Sequence, residues 1–432
     1  MRVAIIGAGL AGVTSAYELA SEGHRVTVFE RRGSVAAEGS FANAGLVVPG
    51  LALPWTAPAF PAPFRAGFGW RFGHWRAARD KALPERQEKL LRLAQFSLAR
   101  LARLRRDLQL DYERAEGQVV LLRAAKDAAA IAPGLALLER AGIAHRHIDA
   151  EQCRAFEPGL SPDMPLHGGV QLEHGEVGNA RQFALQLRTE AQRLGVQFRF
   201  HTTVRSLTPG QPGAPARLVH EYTPPKDQGG GLSRFPADAA NFGDTEPMGQ
   251  GPIEHVFDAV LVCAACDAAA LLAPLGMKLP LTRMHGYSIT APLRRLEAHP
   301  DLGPRAALWD QQRQVAIARI GQRVRVAGGI EFGGSGAKYD ATAVALLHEV
   351  LHDWFPGSMQ QGQAQRWKGA FALLPDGLPL IGASGLPGIW LNLAQGATGW
   401  PIACGAARAL AGPIAGRAAE FDLGGLDSTR LA

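Results

Sequence analysis

One stretch near the start of the chain, VAIIGAGLAG at residues 3–12, narrows the available folds more than any other feature. Its apolar run, Val3 to Ile6, reads as a strand buried on both faces. Gly7, Gly9 and Gly12 follow with the spacing G-x-G-x-x-G, and Val13, Ala16, Tyr17 and Ala20 recur behind them at helical intervals. The chain turns at Gly23 and resumes as HRVTVFE, a second strand ending in Glu30. In such a unit the first glycine allows the tight turn, and the second lets a pyrophosphate approach the backbone. The third lets the helix pack close to the strand. The helix N-terminus adds unpaired N–H groups and the positive end of its dipole. Glu30 stands near the spacing expected of a carboxylate that accepts hydrogen bonds from a ribose. Arg31 and Arg32 would suit a ribose phosphate, but Glu30 would repel it, so an unphosphorylated ribose is expected. Val3, Gly7, Ala8, Gly9, Leu10, Ala11, Gly12, Glu30 and Arg31 are the candidate nucleotide contacts.

The rest of the chain sets wider bounds. A length of 432 residues, with 47% hydrophobic and 19% charged, is an ordinary globular balance with room for two or three domains. No apolar run reaches the roughly 18 residues of a membrane span. The chain enters its first strand at once, so no signal segment is expected, and its four cysteines are too few for a disulfide framework. A cytoplasmic compartment is expected. The net charge is +6, yet residues 65–107 alone hold twelve Arg or Lys and only four acids. This stretch opens as FRAGFGWRFGHWR, then places Leu90, Ala94, Leu98, Leu101, Leu104 and Leu108 at helical spacing. Two readings fit: an amphipathic helix packed on the protein with a solvated basic face, or a peripheral contact with anionic lipid headgroups. No nucleic-acid-binding signature accompanies the charge, and no such partner is expected.

Further along, GQVVLLRAA reads as a strand and AAAIAPGLALLERAG as an interrupted helix. ARQFALQLRTEAQRLG is a helix, and VQFRFHTTV and FDAVLVCAA are strands. RQVAIARIGQRVRVAGGIEF reads as a hairpin turning at Gly321 and Gln322. Residues 209–252 hold sixteen Gly or Pro and little periodicity, which predicts a flexible insertion within 208–255. HEVLH, residues 348–352, matches a zinc-protease pattern, but no third ligand is evident and no metal is expected. Cys263 and Cys266 form C-x-x-C without a second pair, so both read as small core residues.

A second glycine-rich turn decides between cofactors. NLAQGATGWPIACG puts Gly396, Thr398 and Gly399 between a strand and a helix. Another helix N-terminus of this kind stabilises another anionic group. A nicotinamide enzyme does not need it. A reduced isoalloxazine, negative around N1 and the C2 carbonyl, does. Two separated sites imply a long cofactor with ADP at one end and flavin at the other, which is FAD.

SFANAGLVVPG followed by PWTAP, then HGYSIT before APL, RVRVAGGIEF, PDGLPLIG and GATGWPIACG, occur in an order that resembles one family. It is the small-subunit-type D-amino-acid dehydrogenases of the D-amino-acid oxidase-like flavoproteins. The resemblance spans nearly the whole chain apart from residues 209–252. It implies an α/β fold (α+β overall), an FAD-binding doubly wound Rossmann-like domain interleaved with an antiparallel-sheet substrate domain. The first would take residues 1–50, 150–207, 256–280 and 370–432, and the second residues 51–149 and 281–369. The resemblance also implies hydride transfer from the α-carbon of a D-amino acid or related amine to flavin N5. The imino acid would hydrolyse to a 2-oxo acid and ammonia, and the electrons would pass to an acceptor of the respiratory chain, a quinone or carrier. By position, Ser40, Asn43, Ala44 and Gly45 are expected along the isoalloxazine, and the Val204 backbone at the adenine. Gly396, Thr398, Gly399 and Trp400 are expected over the pyrimidine end.

The chain departs from this family at the substrate wall. Phe371-Ala372 stands where Arg-Pro is usual, Gln395 where His is usual, His285 where Lys is usual, and Ala265 where Gly is usual. The missing Arg commonly anchors the substrate carboxylate by two parallel hydrogen bonds. Tyr287, Arg319, Phe371 and Gln395 are the candidate substrate contacts, with Arg319, on the face of Val315 and Ile317, as the replacement cation. No catalytic acid or base is assigned, because hydride transfer chiefly demands an oriented Cα–H and a neutral amine. The altered wall supports a second reading: a flavin-binding protein with a secondary-amine or apolar substrate, or with lost turnover.

Overall fold

The computed structural model describes residues 1–53, 67–211, 214–223, 251–294, 302–333, 336, 338–396 and 399–431. Three sheets organise them. The first has six strands, in spatial order β17 (Leu380–Ala383), β18 (Ile389–Leu393), β11 (Ala259–Val262), β1 (Arg2–Ile6), β2 (Arg25–Phe29) and β7 (Gln197–Arg199). Every pairing is parallel except β17 with β18. The second is an antiparallel sheet of β10 (Ile253–Phe257), β9 (Ala216–Tyr222) and β8 (Thr202–Thr208). The third is mostly antiparallel. Its order is β16 (Gln365–Leu373), β12 (Thr282–Pro292), β15 (Arg323–Phe332), β14 (Val315–Ile320), β13 (Ala307–Asp310), β4 (Ala115–Leu122), β6 (Gly168–Val177) and β3 (Leu46–Val47). β5 (His145–Ile148) pairs with β6 off this path. The helices are α1 (Leu10–Ser21), α2 (Phe68–Ala77), α3 (Leu83–Asp107), α4 (Ala125–Ala141), α5 (Ala150–Phe156), α6 (Ala180–Arg193), α7 (Ala268–Leu272), α8 (Ala341–Trp354) and α9 (Gly399–Ile414).

Strand period explains why β1 is apolar throughout. Val3 and Ile5 face the core shared with α1, α3, α6 and α9, while Ala4 and Ile6 face the core shared with β8, β9 and α7. The helices of the first core approach closely where side chains are small. A Cβ on Gly405 of α9 would lie 2.9 Å from the Ser97 Cα of α3. A separate core fills the space between the third sheet and α8, built on Val315, Ile317, Val324, Val326, Leu347 and Trp354.

The structure departs from the sequence reading in several places. Residues 216–222, inside the expected insertion, form β9, the middle strand of the second sheet. Their alternation of buried Leu218 and His220 with more exposed neighbours is a strand pattern. Most of the remainder, 224–250, lies outside the described residues. β6 joins the third sheet rather than the parallel one, and β16 crosses the expected boundary at residue 370. α3 packs on α9 and shares the core of the parallel sheet. α4 runs unbroken through Pro133. The basic stretch divides into two helices, α2 and α3, whose side chains have different fates. Among the described residues no helix is long and apolar enough to cross a membrane.

Candidate functional site

The three glycines of the first turn serve different needs. Gly7 has φ +100°, and a Cβ there would lie 2.7 Å from the Cys263 carbonyl oxygen. A Cβ on Gly12 would lie 1.9 Å from the Gly7 carbonyl oxygen, inside any contact distance. The chain itself requires both. Gly9 is open: its Cβ would meet only the Ser40 Oγ, at 3.6 Å. Its free side faces the cavity, at the N-terminus of α1, where the Leu10 N–H donates to Ser40 Oγ at 3.3 Å. Glu30 follows β2 directly. Its two oxygens accept from the N–H of Ala8 and of Arg32, both at 2.7 Å. Burial raises its pKa, against the lowering by those two bonds. Arg31 borders the cavity in ion pairs with Glu38 (2.6 Å) and Asp267 (2.8 Å).

The segment before β3 is clamped by the third sheet. Ser288 Oγ donates to the Ala42 carbonyl at 2.7 Å, and Arg325 donates to the Asn43 carbonyl at 3.0 Å and to Thr290 Oγ1 at 2.9 Å. Burial, with Arg323 nearby, pushes Arg325 down to about 10. The Asn43 Oδ1 accepts the Gly45 N–H at 3.1 Å, closing a local turn. Gly45 has φ +79°, and a Cβ there would lie 2.6 Å from the Gly178 carbonyl. At the second turn, the Gln395 side chain donates to Asn392 Oδ1 at 2.6 Å. Trp400 is buried on α9, packed on Tyr112 and Phe183, and its indole N–H has no partner among the described residues. Thr398 lies outside the described residues.

A single cavity of about 1350 Å³ joins these parts. It runs from Gly7, Gly9 and Glu30 past Val204 and Ser40, along Asn43, Ala44 and Gly45, to Gly396, Gly399 and Trp400. Its far wall, from the third sheet, presents Met284, Ile330, Phe371 and Leu373. There Gly286 pairs with Gly369, and aromatic rings lie over the glycine gap. A Cβ on Gly369 would overlap the Trp367 indole at 1.9 Å, and one on Gly286 would lie 3.3 Å from the Phe371 ring. The turn glycines, the α1 N-terminus open at Gly9 and the buried Glu30 carboxylate fit an extended dinucleotide.

Strand alternation turns one of the candidate substrate contacts, Arg319, away from the cavity. Arg319 shares the face of Val315 and Ile317, which packs on α8 away from the cavity. Its guanidinium instead donates to the carbonyl of Gly321, at 3.0 Å, in its own hairpin turn. Tyr287 borders the cavity, but its ring belongs to the core under α8 and its hydroxyl accepts the Asp340 N–H at 3.1 Å. Its neighbour Ser288 faces the Ala42 segment. Phe371 and Gln395 do line the cavity. Among the nucleotide candidates, Val3 is a fully buried strand residue under the helices, and Ala8 and Gly12 act through packing and the Glu30 bond. The described Arg and Lys lining the cavity are each paired with a carboxylate: Arg31 and Arg32 with Glu38, Arg205 with Glu221, Arg283 with Asp267, Lys368 with Glu331. His285 is buried with Nδ1 2.6 Å from the Gly333 carbonyl, and burial lowers its pKa.

Sequence reasoning missed Arg325, Trp367 and Met284. Arg325 alternates with Val324 and Val326 in RVRVAGG, and a charge flanked by core residues was its only signal. In HEVLH, Glu349 pairs with Arg313, and among the described residues no group of three His, Cys, Asp or Glu could hold a metal ion. Cys263 is buried and Cys266 half-buried, both as free thiols.

A family model described as FAD dependent oxidoreductase matches residues 2–412. The chain is 33% identical to a D-amino acid dehydrogenase of Rhizorhabdus wittichii, over 99% of both chains. It is 33% identical to a D-amino acid dehydrogenase of Cereibacter sphaeroides, over 100% of this chain and 96% of the other. Among solved structures, glycine oxidase from Geobacillus kaustophilus superposes with a TM-score of 0.75 at 18% identity, over 99% of each chain. L-proline dehydrogenase from P. horikoshii superposes with a TM-score of 0.69 at 14% identity, over 100% of this chain and 97% of that one.

Proposed function

The chain belongs to the FAD dependent oxidoreductase family, and from that premise we propose that it dehydrogenates the Cα–N bond of a D-amino acid or related amine with an apolar body. Bound FAD supplies the hydride acceptor at N5, and the imino product hydrolyses to a 2-oxo acid and ammonia. The residues of the chain bind and orient. Gly9 and the α1 N-terminus receive the pyrophosphate, Glu30 the ribose, and Asn43 to Gly45 the ring system. Met284, Ile330, Trp367 and Phe371 shape the substrate end and exclude water from it.

One observation carries the reading: the cavity is continuous from the glycine turn to the apolar wall of the third sheet. The similarity to D-amino acid dehydrogenases supports the substrate class. Phe371 supports an apolar substrate, since no guanidinium stands at that position to receive a carboxylate. A second reading, an amine without a carboxylate or a flavoprotein without turnover, is favoured by the pairing of every described cavity-lining Arg and Lys. We place the protein in the cytoplasm, peripherally at the membrane, passing electrons to an acceptor of the respiratory chain.

Anaerobic mixing of the FAD-loaded protein with D-amino acids, L-amino acids, proline derivatives and simple amines tests this. Flavin bleaching is expected, fastest with apolar substrates. Bleaching only by carboxylate-free amines would establish the second reading, and no bleaching by any compound would leave a binding protein.

A further inference from the structure

Helix α2 has two faces with opposite commitments. Trp70 points inward, 8% exposed, stacked on His74 at 5.4 Å and edge-on to Phe332 at 5.1 Å. His74 Nδ1 lies 2.8 Å from the Pro375 carbonyl, and both residues line the cavity. A Cβ on Gly73 would come within 3.1 Å of Pro375. The inner face of α2 is therefore a roof over one end of the cavity.

The outer face is aromatic and uncovered. Phe68 is 83% exposed, Phe72 55% and Trp75 52%. Positions i, i+4 and i+7 fall within about 60° of one another around a helix, so the three rings form one stripe. Phe72 and Trp75 stack at 5.8 Å, and the Arg79 guanidinium sits 4.0 Å over the Trp75 ring. By the same helical geometry Arg71 flanks the stripe on one side and Arg76 on the other. From Gly67 to Arg79 the chain has no Asp or Glu. By contrast, α3 buries its apolar stripe, and its Arg100 and Arg105 are paired with Glu18 and Glu176. Of these two helices, α2 carries the exposed aromatic face.

We propose that the outer face of α2 docks on an anionic lipid bilayer, with Phe68, Phe72 and Trp75 in the headgroup–acyl boundary and Arg76 and Arg79 on lipid phosphates. An apolar stripe edged by cations is the pattern of a helix lying in that interface. A second copy of the chain is the poorer occupant. A twofold contact through this face would set the arginines of the two helices against one another, with no acid on α2 to answer them. This deepens the peripheral placement proposed above and rests on it. Docking would bring the cavity roof to the lipid surface, where an apolar substrate or a lipid-soluble electron acceptor is available.

The test is co-sedimentation of the full-length, FAD-loaded protein with vesicles of phosphatidylcholine alone and of phosphatidylcholine with phosphatidylglycerol. Binding is expected only to the anionic vesicles. The variant F68S/F72S/W75S should lower the partition coefficient at least about a hundredfold, from lost aromatic burial. R76Q/R79Q should lower it about tenfold. Both should retain FAD and the wild-type rate of anaerobic bleaching. If the triple variant loses FAD, F68S alone is read, with about a tenfold loss expected. Absence of binding to anionic vesicles, or equal binding by the aromatic variants, overturns the proposal. So does a solution dimer that the triple variant dissociates. Bleaching is measured in the same preparations, so a failure of the dehydrogenase reading is seen separately from a failure of docking.

Discussion

Alanine at Gly9 and alanine at Gly12 should damage the protein in different ways. A Cβ on Gly12 would stand 1.9 Å from the Gly7 carbonyl oxygen, so α1 must move off β1. Overpacking of this kind costs about 1–3 kcal/mol, and a backbone neighbour puts it at the upper end. Gly9 has φ −68° and ψ −176°, an extended conformation that alanine adopts readily, and its nearest neighbour is 3.6 Å away. The fold should tolerate Gly9→Ala within about 0.5 kcal/mol. The methyl group would instead occupy the open side of the turn, the proposed pyrophosphate site. Loss of two charge-assisted bonds from the α1 N-terminus, about 1.5–3 kcal/mol each, weakens FAD binding by about 10²–10⁴-fold. Thermal unfolding of the FAD-free proteins and titration with FAD by fluorescence quenching measure the two effects separately. Gly12→Ala should unfold early and bind FAD poorly; Gly9→Ala should unfold with the wild type and bind poorly. If Gly9→Ala holds FAD within fivefold of the wild type, the cavity side of this turn is not the phosphate site. If its FAD-free form is as unstable as Gly12→Ala, the open space at Gly9 has been misread.

Other expectations follow from the same geometry. Deleting residues 209–252 removes β9 and leaves β8 and β10 without a partner between them, so FAD content and melting temperature should both fall; an unchanged melting curve would show that β9 does not hold the second sheet together. Gly405→Ala sets a methyl 2.9 Å from the Ser97 Cα and should destabilise by about 1–3 kcal/mol, read by denaturant unfolding. Glu157 is buried, accepts the N–H groups of Arg305 and Ala306, and is raised by burial from 4.5 to about 7. Because the folded value exceeds the unfolded one, its contribution is full below about pH 4.5 and is lost as pH rises through 7, by roughly 3 kcal/mol. Glu157→Gln should abolish that part of the slope in unfolding measurements between pH 5 and 8. Phe371→Arg should raise the bleaching rate by small D-amino acids relative to carboxylate-free amines by about ten- to hundredfold; an unchanged ratio would exclude position 371 from the substrate end.

The sequence by itself determined the cofactor end of this protein. Gly7, Gly9, Gly12 and Glu30 are consecutive parts of one strand–turn–helix–strand unit, and their roles follow from local backbone geometry that neighbouring residues impose. The turn at Gly321 and Gln322, and α9 behind Gly396, were legible for the same reason. Tertiary structure alone decided which side chains line the proposed substrate end. Whether a side chain on β12 or β14 meets the cavity depends on which face of the third sheet packs on α8, and a one-residue change of parity exchanges the two faces. Arg319 stands on the face of Val315 and Ile317, as its spacing predicts, but only the tertiary packing turns that face toward α8; both faces of β12 and β14 are largely buried, so no alternation marks the cavity side. Arg325 reaches Asn43 across 282 positions of sequence, and no local pattern encodes such a contact. β9 was hidden among glycines and prolines because its partners lie on either side of a long connection, and a middle strand exists only once both are in place. The two faces of α2 illustrate the division. Its composition announced aromatic and basic residues together, but only packing against Phe332 and Pro375 showed which rings are covered and which are left to solvent.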